Sequence, residues 1–108
     1  MTYRIQGVFS VIADPKRRKM LDYLSAADRT AGDIASKFEI SRPAVANHLR
    51  ILEQNGLINI VKIGRTRVHK LNAAPLKEIK DWINSYERFW DQKLTGLKLL
   101  IESDLAKK

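Results

Sequence analysis

The chain has 108 residues, of which 20 are Lys or Arg and 12 are Asp or Glu, and its formal net charge is +8. This length suits one compact domain, or one domain with an appended helix, and leaves no room for a second independent core. No apolar run approaches the roughly 18 residues that a membrane span requires, and none near the start is long enough for a signal sequence. Because the chain has no cysteine, disulfide scaffolds and thiolate metal or redox sites are excluded. We therefore expect a cytoplasmic protein with no membrane partner.

The positive charge is concentrated in the first two-thirds of the chain. Residues 1–72 contain 13 Lys and Arg against 6 Asp and Glu, a net charge of +7, whereas residues 73–108 are nearly balanced at +1. A concentrated positive field favours a polyanionic partner, most often nucleic acid, although a basic surface can also serve solubility alone. Charge by itself leaves both interpretations open.

The first part of the chain predicts two helices. Its earliest apolar residues recur every three or four positions, as in a short helix: Ile5, Val8, Phe9 and Ile12. A second helix over 15–26 follows, because Asp14 can cap free backbone N–H groups and Pro15 is tolerated at the first helical position. Arg17 shares the face of the apolar residues in this helix, so we expect it to be partly buried and paired with a carboxylate. Arg18 and Lys19 are expected to lie toward solvent.

The next segment predicts a helix-turn-helix. Thr30 and Asp33 are spaced as a capping box, which indicates a short helix that ends near Lys37. Ser41 can cap another helix shortly afterwards, and Asn55-Gly56 ends it, since these residues readily adopt the left-handed conformation. The inward residues of this second helix are expected to be Val45, Leu49 and Leu52.

The apolar period then changes from 3.6 to 2. Residues 57–62 and 67–71 predict two strands joined through the basic segment 63–66. A helix-turn-helix followed directly by a β-hairpin is a winged helix. The predicted fold class is therefore mainly α with a small β-hairpin, a winged helix-turn-helix that carries a long C-terminal dimerisation helix.

A long periodic segment closes the chain. Apolar residues recur every three or four positions from Ile79 to Leu105 and predict one continuous helix over 76–105. A helix of about 28 residues is about 42 Å long, more than a small domain can cover, so part of its apolar seam requires a partner. We expect this helix and the first one to pair across the axis of a homodimer. The predicted interface residues are Phe9, Ile79, Trp82, Ile83, Tyr86, Phe89, Trp90, Leu94 and Leu97.

The free face of the second helix of the helix-turn-helix suits a DNA major groove. Small residues at its start allow close approach, Asn47 can pair with adenine, and Arg50 can pair with guanine or phosphate. Arg65 at the hairpin tip is placed for a minor groove or flanking phosphates. An ordinary solvated helix face and a tip charged for solubility are the alternatives. The candidate DNA-binding residues are Thr30, Ser41, Arg42, Pro43, Ala46, Asn47, His48, Arg50, Lys62, Arg65 and Arg67.

Neither metal binding nor catalysis is indicated. The two histidines, His48 and His69, lie in different predicted elements, and neither has a second ligand at helical spacing. Structural or DNA-contacting roles therefore suit them better. No catalytic Ser/His/Asp order, Gly-rich phosphate loop or cluster of inward carboxylates is present. We expect no enzyme activity, no cofactor and no metal, and the sequence does not indicate whether a small-molecule effector exists.

Together these motifs resemble the ArsR/SmtB family of bacterial and archaeal winged-helix regulators. The resemblance covers about residues 5–72 and is carried by four segments in order, namely 13–21, 30–35, 41–58 and the wing from Gly64 to Leu71. It implies a homodimer that binds a palindromic operator in double-stranded DNA and represses transcription. Many members sense metal through Cys on the first helix of the pair or Asp/His pairs on the last helix. Here residues 30–38 contain no Cys and the last helix no His, so the resemblance is to a subgroup without evident metal ligands.

Two other functions remain as alternatives. A winged helix can be a protein-interaction module, and a basic one can bind DNA without sequence preference, since fold does not determine function. The charge of +7 on residues 1–72 argues against a protein partner, which would have to be unusually acidic. We therefore assign residues 1–74 to a DNA-binding domain and residues 75–108 to the dimerisation helix, within the same compact unit.

Overall fold

The computed structural model describes the backbone of residues 2–106 and the side chains of residues 7–106. In chain order this part contains α1 (Thr2–Ile12), α2 (Pro15–Ala26), β1 (Arg29–Thr30), α3 (Ala31–Lys37), α4 (Arg42–Gln54), β2 (Ile58–Ile63), β3 (Thr66–Leu71), α5 (Ala74–Asn84) and α6 (Glu87–Ala106). The predicted class, mainly α with a small β-hairpin, is confirmed. The predicted apolar pattern of α1 includes Ile5, whose side chain lies outside the described residues.

The chain divides into two compact units, one ending at Lys77 and the other beginning at Glu78. The first unit contains α1 to β3 and the start of α5, and the second contains the rest of α5 and α6. The sequence placed this boundary at residue 74 and treated both parts as one compact unit.

The helices α2, α3 and α4 begin at the predicted capping residues. The carboxylate of Asp14 accepts hydrogen bonds from the N–H groups of Lys16 (2.8 Å) and Arg17 (3.4 Å). The hydroxyl of Thr30 accepts from the N–H of Asp33 at 3.1 Å, and the Asp33 carboxylate accepts from the N–H of Thr30 at 3.0 Å. At the start of α4, Ser41 Oγ accepts from the N–H of Ala44 at 3.2 Å. These bonds satisfy backbone donors that have no partner within a helix.

A three-stranded antiparallel sheet has the order β1–β3–β2. The sequence did not predict β1, because a strand of two residues has no alternation to detect. The hairpin has a two-residue loop, shorter than the predicted segment 63–66, in which Gly64 has φ +63°. Gly at the first loop position is typical of a type II′ turn, whose twist matches that of the flanking strands.

The core of the first unit is apolar, and each fully buried side chain contributes about 1.5–3 kcal/mol. Its buried side chains from α1 to β2 are Val8, Val11, Met20, Leu21, Leu24, Ile34, Val45, Leu49, Leu52, Leu57 and Ile58. Asn72, just after β3, fixes the hairpin beside the end of α4. Its N–H donates to the carbonyl of Leu57 and its side-chain amide to the carbonyl of Gly56, both at 2.8 Å. The hairpin is thereby held next to α4.

The prediction of one continuous C-terminal helix is wrong. The long final helix is present as α6, but α5 is separate from it, and Ser85 and Tyr86 form a turn between them. Ser85 Oγ donates to the carbonyl of Trp82 at 2.5 Å, and the Tyr86 N–H donates to the carbonyl of Ile83 three residues before it. A serine hydroxyl that bonds to the backbone competes with the helical pattern, and three-residue bonds tighten the last turn. The apolar spacing did not reveal the break, because it continues across this short turn.

Candidate nucleic-acid interface

The helix α4 turns one apolar face inward and leaves a polar face in solvent. Val45, Leu49 and Leu52 are buried, as predicted from their spacing. The predicted contact residues on the opposite side are exposed at the cap and along the helix: Ser41, Arg42, Pro43, Ala46, Asn47 and Arg50. Pro43 lies in the first turn, where its missing N–H leaves no bond unmade. The first half of this face therefore combines small side chains with hydrogen-bonding ones.

Asn47 and Arg50 are joined to each other on the exposed face. One guanidinium nitrogen of Arg50 donates to Oδ1 of Asn47 at 2.6 Å. The two residues are one turn apart, the spacing at which helical side chains meet. This bond leaves the Asn47 amide N–H groups and the other Arg50 donors free to bind a ligand.

His48 is half-buried, unlike the exposed Asn47 and Arg50, and its ring contacts α2. The Nε–H of Arg17 donates to Nδ1 of His48 at 3.2 Å. Since Nδ1 accepts, the proton of the neutral ring lies on Nε2, which becomes the donor. Arg17 is not among the predicted DNA contacts, because helical spacing indicates its burial but cannot reveal a contact with α4.

The Arg17 guanidinium also pairs with a carboxylate, as predicted, and that carboxylate is Asp14. It lies 4.0 Å from Oδ2 of Asp14 and donates to the carbonyl of Val11 at 3.4 Å. Burial would raise the pKa of Asp14, but hydrogen bonds from the N–H groups of Lys16 and Arg17 outweigh it. Together with the positive charge of Arg17 they hold this pKa below its usual value. The prediction of a partly buried, carboxylate-paired Arg17 is thus confirmed.

Arg18 has a role that the sequence did not indicate. Its side chain is exposed, as expected, but its guanidinium donates to the carbonyls of Ile12 (2.8 Å) and Ala13 (3.2 Å). Cations commonly satisfy the last carbonyls of a helix in this way. Arg18 therefore stabilises the junction of α1 and α2.

The hairpin exposes three basic side chains around its tip. Lys62 and Arg67 are directly opposite each other in the β2–β3 register, and Arg65 occupies the two-residue loop with Gly64. Alternate residues of a strand share a face, so Lys62 and Arg67 lie on the same face as the buried Ile58 and His69, but nearer the tip. Like charges directly opposite each other are destabilising in a sheet, and this pair is unfavourable in the free hairpin.

Thr30 and His69 have mainly structural roles. Thr30 is half-buried, and its hydroxyl caps α3 through the bond to the Asp33 N–H. His69 is 4% exposed, lies opposite Arg29 in the sheet, and has an Nδ1 atom with no hydrogen-bond partner among the described residues. Of the two roles considered for His69, its burial favours the structural one.

The candidate dimer residues differ in their exposure. Ile79 is 8% exposed in the protomer and Phe9 is half-buried, whereas the other seven are about half exposed or more. None of the residues Glu87–Ala106 that form α6 is buried. Trp82 packs edge-on against Tyr86, and Phe89 against Trp90, with ring centroids 5.6 and 5.4 Å apart. The second unit thus presents a large apolar surface to solvent.

The described residues contain neither a candidate membrane span nor a candidate metal site. No helix between residues 2 and 106 is both long and apolar enough to span a membrane. In the same part of the chain, no group of three or more His, Asp or Glu side chains is arranged to hold a metal ion.

Known proteins resemble this chain in both sequence and fold. Residues 14–59 match the arsR family of bacterial regulatory proteins. The chain is 39% identical over 90 residues to the transcriptional repressor SdpR of Bacillus subtilis (strain 168). The aligned segment covers 83% of this chain and 100% of SdpR. It is 32% identical over 104 residues to the HTH-type transcriptional regulator Rv2034 of Mycobacterium tuberculosis, covering 95% and 94% of the two chains.

The fold is also similar to that of a solved structure. The ArsR-like transcriptional regulator from Rhodococcus sp. RHA1 is 29% identical and superposes with a TM-score of 0.72 over 92% of this chain and 93% of its own. The sequence match includes the helix-turn-helix whose polar face is described above. The chain therefore belongs to the ArsR/SmtB family of winged-helix proteins and is a DNA-binding transcriptional regulator.

Proposed function

We propose that the chain acts as a homodimeric repressor that binds a palindromic operator through α4 and the hairpin of each protomer. The observation that carries the proposal is the exposed polar face of α4 beside an exposed basic hairpin within a unit of strong positive charge. In a winged helix-turn-helix dimer, two such helices enter successive major grooves about 34 Å apart.

The residues of α4 are assigned to base recognition. Asn47 and Arg50 have the donors and acceptors that suit adenine and guanine edges, and their mutual bond restricts both side chains before DNA is bound. His48 would offer its Nε2–H, because Arg17 occupies the other ring nitrogen. Pro43 and Ala46 would allow the helix backbone to approach the groove closely.

The remaining candidates are assigned to the phosphate backbone. Arg42, Lys62, Arg65 and Arg67 are exposed cations, and contact with phosphates would relieve the repulsion between Lys62 and Arg67 in the hairpin. Ser41 would add a hydroxyl donor at the start of α4, and Thr30 another beside α3. Such contacts position the protein without reading sequence.

The exposed apolar surface of α6 supports dimerisation. Trp90 is 56%, Leu94 63% and Leu97 54% exposed, although these residues repeat at the spacing of a buried helical seam. A contiguous apolar surface of this kind commonly marks a protein interface. Phe9 of α1 and the aromatic residues of α5 are further predicted dimer contacts.

The names of most of the relatives cited here support repression over activation. SdpR and the arsenical resistance operon repressor of Staphylococcus xylosus are named repressors, whereas HlyU of Vibrio cholerae is named an activator. Metal sensing through cysteine, which many members of the family use, is not possible in this chain, which has no cysteine.

The test is selection of bound fragments from the source genome at physiological salt, followed by sequencing. We expect an enriched inverted repeat, which an Asn47→Ala, Arg50→Ala protein fails to enrich while retaining weak binding to any duplex. A reporter gene placed behind the repeat should be expressed more strongly when the regulator is absent. Binding that shows no enriched sequence and vanishes as salt rises would contradict the proposal, and salt-insensitive binding to a protein would favour an interaction module.

A further inference from the structure

A cavity of about 690 Å³ lies between α2 and the connection from α3 to α4, within the first unit. This volume is within the range of pockets that hold small molecules. The lining residues come from α2 and from the segment 37–40, so the cavity is separate from the exposed face of α4 and from the hairpin. The proposed DNA contacts leave it unused.

The floor of the cavity is apolar and partly aromatic. Tyr23 and Phe38 contact each other edge-on, with ring centroids 6.4 Å apart, and Ala26 and Ile40 complete the apolar lining. The Arg29 guanidinium lies 3.9 Å from the Tyr23 ring centroid. Because both rings are held by these contacts, the floor is shaped before any ligand arrives.

The edge of the cavity is basic. Lys16, Lys19 and Lys37 line it together with Asp22 and Glu39, which leaves an excess of one positive charge. Among the described residues, no carboxylate lies within 4.0 Å of any of these three ammonium groups. Lys37 instead lies 5.7 Å from the Tyr23 ring centroid. An apolar floor with unpaired cations at the edge fits a molecule that has an apolar body and one anionic group.

We propose that this cavity binds a small organic anion with an apolar body, such as an aromatic carboxylate. The rings of Tyr23 and Phe38 contact the apolar body, and Lys16 and Lys19 bind the carboxylate. A bare phosphate would leave the apolar floor uncovered, and a neutral hydrocarbon would leave the cations without a partner. This binding does not depend on DNA recognition, so failure of one proposal leaves the other standing.

The test uses 2-naphthoate as the probe and 2-naphthamide as its neutral isostere, with the intact chain followed by ¹H–¹⁵N NMR. We expect saturable shifts of the amide signals of Tyr23, Phe38 and Ile40 with naphthoate, and binding of the amide about five- to tenfold weaker. Because exposed ion pairs contribute only modestly to affinity, the Lys16→Gln, Lys19→Gln protein should also bind naphthoate about five- to tenfold more weakly.

Three comparisons make the result specific. Ala26→Leu places a larger side chain in the lining of the cavity and should weaken naphthoate binding, whereas Lys77→Gln, which removes an exposed lysine elsewhere, should not change the affinity. Because Lys16 and Lys19 are exposed, the Lys16→Gln, Lys19→Gln protein should keep its fold. It therefore tests the proposal if the Ala26→Leu protein does not fold. Shifts confined to the aromatic residues of α5 and α6, or equal binding of naphthoate and naphthamide, would overturn the proposal.

Discussion

Arg17 of α2 donates a hydrogen bond from its Nε–H to Nδ1 of His48, in the middle of α4, at 3.2 Å. The same guanidinium reaches Asp14 and the Val11 carbonyl, so one side chain connects the end of α1, the cap of α2 and the helix assigned to the major groove. A residue with no predicted DNA contact therefore determines which nitrogen of His48 faces a ligand as a donor.

Replacing Arg17 by Gln should lower the free energy of unfolding by about 1–3 kcal/mol. The change leaves the half-buried His48 Nδ1 and the Val11 carbonyl without their donor. Urea denaturation measures the effect, and Lys19→Gln on the same helix, whose side chain is exposed, is the matched control. Equal unfolding midpoints for the two variants would mean that the contact contributes nothing to stability.

Replacing Asn47 by Ala should reduce discrimination between operator and scrambled DNA by about 1–3 kcal/mol, the range for one base contact. The fold should be unchanged, because Asn47 is exposed. Its bond to Arg50 predicts that the effects of Asn47→Ala and Arg50→Ala are not additive. Fluorescence anisotropy with both duplexes gives the ratio, and Asn59→Ala, at an exposed position of β2, is the control. A ratio equal to that of the unmodified protein would remove Asn47 from base reading.

Replacing Arg65 by Ala should weaken binding to all duplexes alike. Loss of one phosphate contact should make the slope of log K against log salt shallower by about 1. Titrations at several salt concentrations measure this slope, with Lys77→Ala as a control of equal charge change outside the hairpin. If Arg65→Ala and Lys77→Ala give the same slope, the hairpin tip does not contact DNA.

Replacing Leu97 by Glu should dissociate the proposed dimer into monomers. A charge buried within an apolar interface without a partner is strongly unfavourable, whereas the same residue in a monomer is solvated. Sedimentation equilibrium measures the change. Gln92→Glu adds the same charge to α6 away from the apolar seam and should leave the dimer intact. A Leu97→Glu protein that remains dimeric would place the interface elsewhere.

The stability of the protein should fall as the pH decreases from about 7.5 to about 5.5. Burial lowers the pKa of His69 below its usual 6.5, aided by the charge of Arg67, while a hydrogen bond to the Arg29 backbone and the charge of Glu53 oppose the shift. In this window the unfolded chain binds a proton that the folded state does not, so stability rises with pH.

Urea midpoints across the same window test the assignment to His69. His69→Gln keeps a hydrogen-bonding side chain that does not titrate, and it should flatten the dependence. Loss of stability through Asp14 and Asp33, whose pKa values are lowered, occurs only at more acidic pH and does not interfere. An unchanged slope in His69→Gln would assign the effect to another group.

Most of the local structure was predictable because its determinants are close together in the sequence. Asp14, Thr30 and Ser41 each cap the helix that follows within three residues, and apolar spacing identified the buried face of α4. The exposed candidates on that face, such as Asn47 and Arg50, follow from helical geometry alone. The family resemblance rests on the same local motifs, and the comparisons confirmed it.

Tertiary structure decided the features that join distant residues or depend on small local differences. The bond from Arg17 to His48 spans 31 positions, and β1 exists only because Arg29 and Thr30 pair with β3. At the break between α5 and α6, the Ser85 hydroxyl and the backbone N–H groups of Ser85 and Tyr86 bond to carbonyls three residues before them, while the apolar period continues across the turn. Periodicity and capping report which face a residue occupies, whereas a contact between elements depends on how their backbones pack, and that arrangement appears only when the whole core has formed.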